Sequence, residues 1–418
     1  MHVEHSELLA FLLLLALIIA AAKAGGWISL RAGQPAVLGE ILVGVILGPS
    51  LLNVLGWPVF PEALGVVVAH LANLGVILLM FIAGLETDLA KMKSVGRVAG
   101  IAGAAGVFVP LVLGAAAALP FGYPLTQALF IGVVLTATSV SITVQTLIEL
   151  GQLESKEGAT LLAAAVIDDV IAIIVLSVFV ALTAGGAGGL GAVGVVAVRM
   201  AAFFVLAIAG GLWVVGRVIP RAHRLPISEG LLASVTVLTL LLAWSAEALG
   251  QVAAITGAYI AGVLVAAVGF REEVEHRLRA FTYAILVPVF FISIGLQTDA
   301  RLLAGRDIPF ALLIITAAVV GKVIGSGGGA LAAGFTRPES LRIGVGMVSR
   351  GEVGLIIAGI GIQSGLLTER GFAVMVIMVL ATTLLTPILL RAAFPRGRRA
   401  LTEAEAVAQV MGEGDGGE

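Results

Sequence analysis

Cysteine is absent from the chain. That excludes disulfide bonds, thiol chemistry and any thiolate-held metal. Histidine is scarce and scattered, as His2, His5, His70, His223 and His276, without the spacing that metal ligation needs. Charge is thin as well: Asp, Glu, Lys and Arg make up 12% of the 418 residues, and the formal net charge is −2. Such a chain is neither disordered nor an ordinary soluble domain, and its neutral balance offers nucleic acid no footing. No cofactor is expected. A basic leader is also missing. The residues before the apolar run Leu8 to Ala22 carry Glu4 and Glu7 but no Lys or Arg, so the run reads as a retained first helix, although Ala20-Ala21-Ala22-Lys23-Ala24 resembles a cleavage site.

What is abundant is apolar residues and glycine, the profile of an all-α polytopic membrane protein. Windows of about 20 apolar residues, the length that crosses a bilayer, fall near 7–24, 36–56, 64–86, 95–119, 125–150, 159–183, 190–218, 228–249, 251–269, 280–297, 308–334, 341–364 and 371–393. That is about thirteen spans. With the N-terminus outside, the loops on the cytoplasmic side hold Lys23, Arg31, Lys91, Lys93, Arg97, Lys156, Arg217, Arg221, Arg224, Arg271, Arg277, Arg279, Arg337 and Arg342, and the tail adds Arg391, Arg396, Arg398 and Arg399. The opposite loops hold Arg301, Arg306 and Arg370. This asymmetry follows the positive-inside rule and requires an odd count, N-terminus out and C-terminus in. Residues 397–418 read as a disordered cytoplasmic tail, and no nucleotide-binding domain is expected after the last helix.

Three basic residues, Arg199, Lys322 and Arg350, fall inside the spans, and so do two adjacent acids, Asp168 and Asp169. A carboxylate at the centre of a membrane helix costs about 2.5 to 3.5 kcal/mol on insertion scales, and by default marks an ion, proton or substrate path. An odd number of spans in two similar halves implies repeats of inverted topology. Matching positions in the two halves support this. The fifth span contains Leu135-Thr-Ala-Thr-Ser-Val-Ser-Ile-Thr143, and the twelfth contains Gly346-Met-Val-Ser-Arg-Gly-Glu-Val-Gly354. Both read as interrupted helices, whose free backbone groups are tolerable only around an ion-binding or hydrated cavity. Arg350 and Glu352 are expected to compensate the broken-helix ends. Consecutive helical residues are rotated by about 100°, so Asp168 and Asp169 cannot share a partner. Lys322, flanked by Gly321 and Gly325, is the candidate cation for one of them, and the other is expected to face water. Read as purely structural, Asp168 and Lys322 would be a static pair, which leaves Asp169 without a role.

Several stretches together resemble the monovalent cation:proton antiporters, a family that includes NapA-type Na+/H+ exchangers and Kef-type potassium systems. They are Gln34-Pro-Ala-Val-Leu-Gly-Glu-Ile-Leu-Val-Gly-Val-Ile-Leu-Gly-Pro-Ser-Leu-Leu52, Phe81-Ile-Ala-Gly-Leu-Glu-Thr-Asp-Leu89, Ala137-Thr-Ser-Val-Ser-Ile-Thr143, Ala165-Val-Ile-Asp-Asp169, Gly321-Lys322 and Ser349-Arg-Gly-Glu-Val-Gly-Leu355. The resemblance implies an NhaA/NapA-like fold with two discontinuous crossing helices, in a homodimer that works as an elevator in the cell membrane. It divides the chain into scaffold helices at 1–94 and 219–299, core helices at 95–186 and 300–396, and a linker helix at 187–218. It implies a Na+ site, with Li+ or K+ as other candidates, at Asp169 and Asp168. Asp168 would exchange partners with Lys322, and Thr138 and Ser139 would line the site. The Asp-Asp form is similar to that of electrogenic exchangers, which move two protons per cation. Kef-type systems usually carry Gln-Asp here and a regulatory domain behind it, which argues against ligand-gated potassium efflux. An intramembrane aspartyl protease also uses two aspartates, but they must share one proton at close range, and neighbours on one helix diverge. The chain is expected not to be an enzyme.

Overall fold

The computed structural model describes residues 2–87, 89–183, 189–223, 228–299, 301, 303 and 305–394. Among them there is no strand. In chain order the helices are α1 (His2–Arg31), α2 (Ala36–Leu47), α3 (Ala63–Leu85), α4 (Leu89–Ala118), α5 (Leu125–Thr136), α6 (Val140–Glu149), α7 (Lys156–Thr183), α8 (Gly189–Val205) and α9 (Gly211–His223). There follow α10 (Gly230–Ala248), α11 (Ala254–Ala267), α12 (Arg271–Phe281), α13 (Val287–Leu296), α14 (Ile308–Lys322), α15 (Gly328–Ala332), α16 (Arg337–Gly346), α17 (Glu352–Gln363) and α18 (Glu369–Ala393). Three rods run through a single π turn: Leu206–Gly210 joins α8 to α9, Thr282–Leu286 joins α12 to α13, and Val323–Gly327 joins α14 to α15.

Among the described residues, 10 helical stretches are long and apolar enough to cross a membrane. Three of the thirteen expected windows instead hold shorter apolar helices, Ala36–Leu47, Ala254–Ala267 and Val353–Ile362. The local reasons are visible. After α2 the chain turns at Gly48 and reaches Asn53 in the left-handed region at φ 46°. The helix α11 stops before Gly269, at φ 86°. The window at 341–364 is divided by non-helical residues between α16 and α17. At 1.5 Å per residue a 12-residue helix such as α2 spans roughly 18 Å, well short of the hydrocarbon thickness.

The interior is built by close backbone approach. A sheath of lipid tails supplies no hydrophobic drive between helices, so packing at short range has to hold them together. Helix α3 lies along α11, α13 packs on α2 and α3, and α4 packs on α5, α7 and α14. One apolar cluster joins faces of α1–α3 and α10–α13; a second joins the end of α4 to α5, α14, α17 and α18. Arg199, an unexplained cation in the sequence, donates to the carbonyls of Ala248 (2.9 Å) and Leu249 (2.8 Å) and so caps the C-terminus of α10. Helix α16 opens with a capping box of Thr336 and Glu339. The Thr336 amide on its carboxylate, with Lys156 beside it, holds Glu339 below the usual carboxylate range.

The contact of α2 with α13 is a close test of this packing, because a Cβ on Gly295 would stand 2.1 Å from the Gly44 carbonyl carbon. Backbone cannot yield as a flexible side chain can. Gly295→Ala is expected to destabilise the protein by about 1–3 kcal/mol, the usual range for an overpacked core, read as a lowered melting temperature in detergent. An unchanged melting temperature would show that α2 and α13 can separate freely.

Candidate ion-binding site

Two helices stop in mid-course and meet. Helix α5 ends at Thr136 and α6 begins at Val140; α16 ends at Gly346 and α17 begins at Glu352. The intervening extended segments pair directly. The Ser139 amide donates to the Ser349 carbonyl (3.0 Å), and the Ser349 hydroxyl donates back to the Ser139 carbonyl. Thr143 donates to the Gly346 carbonyl (2.6 Å) and lies 3.2 Å from the Ser349 hydroxyl. Hydroxyl side chains thus take over hydrogen bonds that the broken helices forgo.

Arg350 occupies the centre of this crossing and is fully buried. Its guanidinium donates to the carbonyls of Leu135 (2.9 Å), Ala318 (3.3 Å), Met347 (3.3 Å), Val348 and Ser349. One cation therefore gathers the C-terminal ends of α5 and α16 and a turn of α14, where the negative ends of helix dipoles concentrate. Its own carbonyl accepts from Thr383 on α18. The Glu352 side chain, expected from the sequence to work with Arg350, lies outside the described residues, as does the 397–418 tail.

Beside the crossing, α7 delivers the two aspartates in different directions. Asp168 is 0% exposed. Its Oδ1 accepts from the Lys322 ammonium at 2.6 Å, and its Oδ2 accepts from the Thr138 hydroxyl at 2.7 Å. Lys322 is 0% exposed as well and ends α14 at the point where the π turn begins. Asp169 is half-buried and lines a cleft of about 10 Å³ with Met80, Ala165, Thr256 and Tyr259, room for roughly one water. Ile255 borders both this cleft and a cavity of about 440 Å³ lined by Asn73, Glu247, Gln251 and Val353.

The structure thus gathers Asp168, Lys322 and Thr138 into one bonded group, with Asp169 on the adjoining face. Ser139 is at the crossing but does not bond to Asp168: its backbone pairs with Ser349, and its side chain lies against Gly351. Two further polar residues were not singled out in the sequence. Ser326 lies in the π turn beyond Lys322, buried. Glu149, the last residue of α6, accepts from the amides of Ala36 (2.5 Å) and Val37 (3.2 Å) at the start of α2, and Gln145 steadies it at 3.0 Å. Among the described residues, no group of three or more His, Asp or Glu is arranged to hold a metal ion.

A family profile described as "Sodium/hydrogen exchanger, transmembrane" matches residues 11–394. The chain belongs to that family: it is a multi-pass membrane transporter of the antiporter class and not an enzyme. Among its relatives, the Na(+)/H(+)-K(+) antiporter GerN of Bacillus cereus is 39% identical over 92% of this chain and 96% of its own length. The Na(+)/H(+) antiporter of Enterococcus hirae is 34% identical over 91% of this chain and 97% of its own. The solved sodium proton antiporter MjNhaP1 of Methanocaldococcus jannaschii superposes with a TM-score of 0.68 at 17% identity, covering 92% of this chain and 97% of that one.

Arg350 offers a direct test of how the crossing is held. Arg350→Met keeps the bulk but leaves several buried carbonyls without a donor, each costing about 1–3 kcal/mol. The expected result is a large loss of thermal stability in detergent, only partly restored in Arg350→Lys, whose compact ammonium cannot reach carbonyls on three separate helices. A variant Arg350→Met as stable as the wild type would show that the crossing is satisfied without it.

Proposed function

We propose that the protein exchanges a monovalent cation for protons across the cell membrane, with Na+ as the principal cation. The observation that carries this reading is the buried Lys322–Asp168–Thr138 group set next to Asp169, which lines a cleft on the adjoining face of α7. Cation and protons compete for these oxygens. A cation arriving at Asp169 and Asp168 displaces the Lys322 ammonium from Asp168, and protons leave from Asp169 and Lys322; on the return stroke protons displace the cation. Arg350 and the main-chain dipoles of the crossing keep the surrounding charge constant while the site changes occupant. Two protons against one cation make the cycle electrogenic.

The accompanying architecture is part of the same proposal. Counting the three shorter apolar helices as spans gives thirteen, with the N-terminus outside and the C-terminus in the cytoplasm. The segments at 95–186 and 300–396 form the moving core, 1–94 and 219–299 the scaffold, and 187–218 the linker, in a homodimer with elevator-type alternating access. The larger cavity at Glu247 and Gln251 then opens toward the outside. K+/H+ exchange is the second reading, favoured by the K+ in the name of the Bacillus cereus relative; oxygen ligands alone do not separate Na+, Li+ and K+.

Two measurements on reconstituted protein test this. In proteoliposomes, Asp169→Asn is expected to abolish cation-driven proton movement, and exchange at the wild-type rate would remove Asp169 from the site. Running the assay with Na+, Li+ and K+ in turn ranks the cations. An imposed membrane potential is expected to change the wild-type rate, since one net charge is worth about 2.3 kcal/mol per 100 mV; turnover indifferent to voltage would sink the unequal stoichiometry.

A further inference from the structure

Ser326 lies one turn beyond Lys322, inside the π turn Val323–Gly327. It is fully buried, and among the described residues its hydroxyl has no hydrogen-bond partner. Buried polar groups are nearly always paired, and one that is not needs an explanation. π turns interrupt helices most often at functional sites, where the extra residue re-aims the side chains around it.

The explanation lies in what Ser326 faces. Helix α4 presents Gly106 to it, and a Cβ on that glycine would fall 2.2 Å from Ser326 Oγ and 3.4 Å from Asp168 Oδ1. The hydroxyl and the carboxylate oxygen therefore flank the same stretch of bare backbone, with no side chain between them there. Oδ1 is the oxygen held by Lys322, while Oδ2 is held by Thr138. An ionised carboxylate has acceptor capacity for more than these two donors. Should the ammonium leave, Oδ1 would lose its donor in a buried site, and Thr138 alone would orient the group.

We propose that Ser326 is the reserve donor of the ion site: when a cation on Asp168 displaces the Lys322 ammonium, the Ser326 hydroxyl turns across Gly106 and donates to Oδ1. The carboxylate then keeps its orientation toward the cation through the exchange of partners. Among the described residues the Ser326 hydroxyl is unpaired in this arrangement, with Lys322 on Oδ1, and its bond belongs to the cation-loaded state. It acts as a positioning residue, and it rests on the partner exchange at Asp168 proposed above.

The role predicts an unusual split. Ser326→Ala removes no bond from the cation-free protein, so its melting temperature without Na+ should match the wild type. The loaded state loses a hydrogen bond to a charged group, which raises KM for Na+ about tenfold and shrinks the rise in melting temperature that Na+ produces. Ser326→Thr, which keeps the hydroxyl, should restore both. The experiment measures Na+-dependent proton efflux and Na+-dependent melting for the wild type and both variants. A KM for Ser326→Ala equal to the wild type overturns the proposal, as does a fall in cation-free melting temperature with KM unchanged, which would make the serine a packing residue. Failure of the wild type itself to exchange protons for any monovalent cation would remove the antiport reading, and this proposal with it. Wild-type exchange with an unaffected Ser326→Ala would overturn the serine's role alone.

Discussion

Backbone that leaves the helix inside a membrane must find its hydrogen bonds within the protein, and everything near the site follows from how this chain meets that demand. Two breaks are set against each other, so the extended residues of one serve those of the other through Ser139 and Ser349. What the amides cannot supply, Arg350 does, by donating to carbonyls of α5, α14 and the end of α16. A buried guanidinium is prohibitively costly in isolation but stable where two negative helix ends converge beside a turn of α14. Opening the helices creates the need for the cation, and the cation fastens the opened helices.

The same constraint explains why the aspartates are adjacent. One helix rotation separates their directions, so a single stretch of α7 serves two environments. Asp168 looks toward α14 and the break in α5–α6, where Lys322 and Thr138 occupy both of its oxygens. Asp169 looks toward α3 and α11, among Met80, Thr256 and Tyr259. A buried pair such as Lys322–Asp168 adds little to stability once desolvation is counted. Its retention in so charge-poor a chain makes sense as chemistry more than as structure.

Much of this was legible in the sequence because charge and hydroxyl residues are rare in apolar spans, so each occurrence carries information. Asp168, Asp169, Lys322 and Arg350 stood out for that reason, as did the runs at 135–143 and 346–354. Ser326 did not, because a serine in Ile324-Gly-Ser-Gly-Gly328 looks like one more small residue that lets helices approach. Its significance depends on an unpaired oxygen and on Gly106, far away in the chain. Arg199 was visible as an anomaly, but its partners at Ala248 and Leu249 could not be read from spacing. Helix lengths were the weakest reading: hydropathy continues through Gly48 and Val268, where the backbone does not stay helical.

Helix α2 begins behind Pro35, which has no side chain able to cap it, and the missing acceptor, Glu149, arrives from the far end of α6. Supplying such an acceptor is worth about 0.5–2 kcal/mol to a helix. In the elevator proposed above, α6 would travel while α2 stayed, and the cap could not be in two places. The two halves of the proposed cycle would then be unequal in energy by roughly that amount, which corresponds to a resting population skewed by about twofold to thirtyfold. A helix left without a suitable first residue would in this way set which side of the membrane an idle carrier faces.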